Sequence, residues 1–179
     1  MKKQLEILIV EDREENRRAA QEYFDTRDDT RVDFATSYDE GLQKLQEGLY
    51  GIGIFDLELP KSEGAEPEKL GFELAREATK YAMPWAVITA GIDHHKCKAA
   101  FVSYSREGIK DPNKKLTEIT EIPKTDSRSW QTVYETLVKN APNIAETVAS
   151  RERYKRFVGK PYQLDPQIAE SLVPGFKEK

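Results

Sequence analysis

Glu11 and Asp12 stand side by side directly after the apolar run "LEILIV", and Asp56 ends a second such run in "GIGIFDLELP". In a sheet whose strands end together at one crevice, these carboxylates meet. Three carboxylates held together repel one another and raise each other's pKa unless a cation joins them. A hard divalent ion is the economical solution, because Mg²⁺ takes carboxylate, carbonyl and water oxygens and can still hold a phosphoryl oxygen. With the charge neutralised, Asp56 can attack phosphorus as a nucleophile. Thr89, in "PWAVITAG", and Lys124, after "LTEITEIP", would then hold the phosphoryl oxygens facing away from the metal. Taken alone, Glu11 and Asp12 have a plainer reading as helix caps or solvated charges.

The elements that must position these groups are readable from periodicity. "LEILIV" is a nearly continuous apolar run, as a parallel strand covered on both faces requires. Asn16, Ala19, Ala20, Tyr23 and Phe24 then share one helical face, with acidic residues in the first turn where the helix dipole favours them. "RVDFA" reads as a strand nearer the sheet edge, and Tyr38, Leu42, Leu45 and Leu49 as a helix stopped at Gly48. "GIGIFDL" is the third strand, and a polar segment leads to a helix through Leu70, Leu74, Ala78 and Tyr81. "PWAVITAG" is the fourth strand, with Cys97, Ala100, Phe101 and Tyr104 marking a helix after it. After a polar loop, "LTEITEIP" is the fifth strand, followed by a stripe of Trp130, Val133, Tyr134, Leu137 and Val138 with Asp126 and Ser127 as caps. Five βα units predict an α/β fold with a five-stranded parallel sheet and helices on both faces.

Composition is consistent with one compact core. The 179 residues are 38% hydrophobic and 34% charged, with a net charge of -4. That balance disfavours nucleic acid and anionic membrane as bulk partners and favours protein or a small anion. Cys97 is the single cysteine, so no intramolecular disulfide forms. No apolar run reaches the roughly 20 residues a membrane-spanning helix needs, and the amino-terminal stretch turns acidic too early for a secretory signal. The expectation is a soluble, cytoplasmic protein.

"ILIVED", "IFDLELP", "VITAG" and the lysine of "EIPK", in this order and at strand ends, together resemble the receiver domain of two-component response regulators over about residues 4 to 140. The resemblance implies a flavodoxin-like fold with strand order 2-1-3-4-5. It also implies a single-domain response regulator, not an enzyme, whose Asp56 accepts a phosphoryl group from a histidine kinase or phosphotransfer protein. Asp12, Asp56 and the backbone carbonyl of Glu58 would bind Mg²⁺, with Glu11 acting through water. Thr89 and Lys124 would sense the phosphoryl group and move a face that binds a downstream protein. Two rivals stand beside it: a phosphorylation-independent binding module on the same fold, and an aspartyl-phosphate phosphatase using Glu58 as acid/base.

The departures from that pattern are specific. Receivers usually follow the lysine with proline, whereas here Pro123 precedes Lys124 and Thr125 follows. A cis bond before Thr125 would cost about 2.5 to 4 kcal/mol, so the loop takes another shape, with a cis Ile122–Pro123 bond as one route. Glu121 occupies the neighbourhood of the family's aromatic switch residue, and the segments after Pro60 and from Ser103 to Lys115 are long. His94 and His95 are adjacent and point apart on a helix, so with Cys97 they make surface histidines and a core thiol rather than a zinc site. The organisation expected is a receiver-like domain over 1–140 and an extension over 141–179, with no separate output domain. In that extension "RERYKR" reads as a charged helical face, and Phe157, Tyr162, Leu164, Ile168, Leu172 and Phe176 as packing onto the receiver or onto a second copy in a homodimer.

Overall fold

The computed structural model describes residues 4–47, 50–90, 96–101, 103–105, 108–110, 117–141 and 144–164. In chain order the elements are β1 (Leu5–Val10), α1 (Glu14–Phe24), β2 (Thr30–Ala35), α2 (Tyr38–Glu47), β3 (Ile52–Asp56), β4 (Leu59–Pro60), β5 (Pro67–Glu68), α3 (Gly71–Lys80) and β6 (Trp85–Thr89). They continue with β7 (Cys97–Phe101), β8 (Ser103–Ser105), β9 (Gly108–Lys110), β10 (Thr117–Thr120), α4 (Ser127–Asn140) and α5 (Ile144–Val158).

The central sheet has the order β2-β1-β3-β6-β7-β10. The β1–β2, β1–β3 and β3–β6 pairs are parallel, with Ile7 opposite both Val32 and Ile52. β7 runs antiparallel to both its neighbours, so β10 again runs with the rest. The five expected strands therefore keep the order 2-1-3-4-5, with β10 as the fifth, and β7 is inserted between the fourth and fifth.

That insertion corrects one expectation. The helix read through Cys97, Ala100, Phe101 and Tyr104 is instead strand, in β7 and in the separate β8–β9 hairpin. Cys97, Ala99 and Phe101 alternate onto one face and are buried in the core beside Trp130 and Val133. Ala100 is buried as well, which gives the segment a helical spacing it does not use.

Alternation along the inner strands sends successive side chains to opposite layers. Ile7, Ile9, Ile52, Ile54, Ala86 and Ile88 face the layer of α1 and α4, where Ala20, Tyr23, Phe24, Val133 and Tyr134 cover them. Leu8, Val10, Phe55 and Val87 face the layer of α2 and α3, where Leu45, Leu74 and Ala78 close over them. Each fully buried Leu, Ile or Phe contributes about 1.5 to 3 kcal/mol relative to exposure. The two layers leave the carboxyl ends of β1, β3 and β6 together at one edge of the sheet.

α5 packs at the opposite edge. Arg151, buried, donates from Nη1 to the Tyr81 carbonyl at 3.0 Å and from Nη2 to the Tyr50 carbonyl. The chain then turns at Gly159, whose φ of 74° is the left-handed conformation glycine adopts without strain, and Leu164 N donates to the Lys80 carbonyl at 2.6 Å. The charged-face reading of "RERYKR" thus fails at Arg151. Tyr162 meets Tyr154 edge to face at 5.3 Å, but Phe157 is 85% exposed rather than packed. Gly48, Leu49, His94, His95, Leu116, Ile168, Leu172 and Phe176 lie outside the described residues. Among the described residues no helix is long and apolar enough to cross a membrane.

Candidate functional site

β1 delivers Glu11 and Asp12 to the sheet edge, and β3 delivers Asp56 beside them. The parallel register sets Val10 opposite Phe55, so the next residues of both strands leave the sheet at the same level. A carboxylate oxygen from each of Glu11, Asp12 and Asp56 can be chosen so that all three lie within 4.8 Å of one another. Glu11 is fully buried, Asp56 is nearly so, and Asp12 is half-buried.

Lys124 enters this cluster from the far side. Its Nζ lies 2.5 Å from Glu11 Oε2 and 2.8 Å from Asp56 Oδ2, and its side chain is 3% exposed. Burial alone would push the ammonium pKa down, but the carboxylates of Glu11 and Asp56 outweigh it and hold the group charged. Asp56 is displaced the other way. Burial pushes its carboxyl up to about 7, against the pull of Lys124 and with a further rise from Glu11 and Asp12. Burial and the Glu11 charge raise Asp12 too. A cation added to the cluster would keep all three carboxyls ionised, and hard oxygen donors at this spacing suit Mg²⁺.

The loop that bears Lys124 has no cis peptide bond, nor has any other described segment, so the route through a cis Ile122–Pro123 bond is not taken. Asp126 caps α4 as expected, accepting from Arg128 N at 3.0 Å. Thr89 ends β6 at the same edge, one residue beyond Ile88, which pairs with Asp56. Glu58 is exposed two residues past Asp56, and Glu121 is exposed beyond β10. Glu11, Asp12, Asp56 and Lys124 thus form one cluster, with Thr89 on the adjacent strand at its rim.

Other residues build the cluster without having been legible as part of it. Asn16 Nδ2 donates to Glu11 Oε1 at 3.0 Å, and Arg13 N reaches the same oxygen at 3.2 Å. Arg17 Nη1 donates to the carbonyls of Glu11 and Asp12 at 2.9 and 2.5 Å, fixing the loop backbone. The available signal was Asn16 itself, a polar residue on the apolar stripe of α1. Gly71, at the start of α3, lies so close to the end of β3 that a Cβ there would sit 2.1 Å from the Asp56 carbonyl oxygen.

Among the described residues, a doubly wound α/β sheet carries an acidic crevice at its strand ends with Lys124 reaching into it, an arrangement that fits a receiver domain. Residues 7–115, more than half of the chain, match the response regulator receiver domain family, and the chain belongs to it. Receiver domains serve response regulators in two-component signalling and work with histidine kinases or phosphotransfer proteins. No curated protein and no solved structure matches the sequence at a significant level.

Proposed function

We propose that the chain is a cytoplasmic response regulator in which Asp56 accepts a phosphoryl group from a phosphohistidine. The observation that supports this best is the pair of contacts from Lys124 to Glu11 and Asp56, which completes a buried carboxylate cluster with its own cation. A carboxylate oxygen of Asp56 attacks phosphorus, the P–N bond breaks, and its electron pair leaves with the imidazole nitrogen, which takes a proton from water. Asp12, Asp56 and the Glu58 carbonyl are the groups to hold Mg²⁺, with Glu11 acting through water. Bound there, the ion would offset the charge that gathers on the phosphoryl oxygens. Lys124 then turns from Asp56 to the transferred group, and Thr89 donates to it from the rim. The receiver unit takes in 1–140, with 141–179 as an extension, and phosphorylation changes affinity for a partner protein.

Small phosphodonors test this without a kinase. Acetyl phosphate or phosphoramidate, with and without Mg²⁺, is followed by intact mass on wild type and Asp56→Asn. One Mg²⁺-dependent phosphoryl adduct that disappears in the variant is expected. An adduct that persists in Asp56→Asn would overturn the assignment of the acceptor, and no adduct on folded wild type would favour a phosphorylation-independent binding module.

A further inference from the structure

Lys124 places its ammonium within hydrogen-bond distance of two carboxylates, yet its four-carbon stem is flexible and cannot fix that position alone. The backbone must therefore be held. In the loop after β10 three successive carbonyls turn toward the first turns of α4. The Ser129 hydroxyl is shared between the carbonyls of Ile122 and Pro123, both at 2.9 Å. The indole Nε1 of Trp130 donates to the carbonyl of Lys124 itself at 2.8 Å. Trp130 is 1% exposed and its ring packs in the core with Val133, so this donor is anchored by the α1–α4 layer.

We infer that Trp130 and Ser129 are positioning residues for Lys124, fixing a loop whose lysine is not followed by proline. The inference deepens the phosphoacceptor reading, on which its functional meaning rests. The mechanism is indirect: neither side chain touches the carboxylates, and both act on the backbone from which the ammonium is launched. A Trp that merely filled the core would, when replaced, have the same effect with and without the Lys124 side chain.

The test is a double-mutant cycle on the full chain, with wild type, Trp130→Phe, Lys124→Ala and the double variant. Because the Lys124 ammonium competes with Mg²⁺ for Asp56 and Glu11, Lys124→Ala should tighten Mg²⁺ binding. Trp130→Phe keeps an aromatic ring but loses the donor, and should tighten Mg²⁺ binding by about three- to tenfold, the scale of one hydrogen bond. In the Lys124→Ala background it should have no further effect. Equal effects of Trp130→Phe in both backgrounds would overturn the inference. Urea unfolding of the same four proteins without metal reads the cycle a second time, so the coupling is measured even in a protein that binds no Mg²⁺, additivity again being the overturning result. Ser129→Ala repeats the cycle should Trp130→Phe not fold. Phosphodonor labelling of wild type is read separately: its failure removes the acceptor reading while the cycle still decides the position of Lys124.

Discussion

Arg151 and Tyr81, seventy positions apart in the chain, are joined by a hydrogen bond of 3.0 Å from the guanidinium to the main-chain carbonyl. With the second bond to the Tyr50 carbonyl, this makes one side chain of α5 the support for the segments that lead into β3 and β6. Hydrogen bonds from a charged donor contribute about 1.5 to 3 kcal/mol. Arg151→Met should therefore lower stability by about 2 to 3 kcal/mol, seen as a lower urea midpoint with little change in slope.

Gly71 packs directly against the Asp56 and Leu57 backbone. Gly71→Ala would force a methyl group against the Asp56 carbonyl, a contact with backbone that no rotamer relieves. A loss of about 1 to 3 kcal/mol is expected, as for overpacked sites, together with weaker Mg²⁺ binding. Unchanged metal affinity, read by titration, would show that the loop shifts without moving the carboxylate.

Asp33 gives a dependence on pH away from the site. Burial raises its carboxyl, but hydrogen bonds from Lys44, at 2.8 Å, and Tyr50, at 2.6 Å, outweigh that and hold it below the ordinary value of 3.8. A lowered folded pKa means the unfolded chain binds protons first as the solution is acidified. The contribution of Asp33 is thus complete above pH 3.8 and is lost as pH falls through the lower folded value. Urea midpoints of wild type and Asp33→Asn should differ at pH 6 and converge as acid is added.

Asp126 accepts from the first turn of α4, the helix that carries Ser129 and Trp130. Asp126→Ala should cost about 1 kcal/mol, the usual cost of losing such a cap, measured as a fall in thermal midpoint. Asp126→Asn should recover most of it, because the amide oxygen caps nearly as well.

Much of the site was legible because its chemistry lies at the ends of apolar runs. Glu11, Asp12 and Asp56 each follow or end an apolar run, and parallel pairing of β1 with β3 brings those stops to one edge, while Lys124 arrives from the loop after β10. β7 was misread for a physical reason: when Cys97, Ala99, Ala100 and Phe101 are all buried, period two and period 3.6 both fit. Arg151 resembled its charged neighbours because its partners are carbonyls, which carry no signature in side-chain pattern. Trp130 was correctly placed on the core face, yet its indole nitrogen has a second task that spacing cannot show.

β7 also bears on how the chain finds its fold. Thr89 pairs with Lys98 and Ala99 with Thr117, so this part of the sheet closes through near neighbours in sequence. Ile7, by contrast, must meet Ile52 across a helix, a strand and another helix. Short loops close at lower entropic cost, and contacts of low sequence separation form faster. The half of the sheet holding Thr89 and leading to Lys124 is favoured to assemble early, as a template onto which the strands bearing the carboxylates later dock.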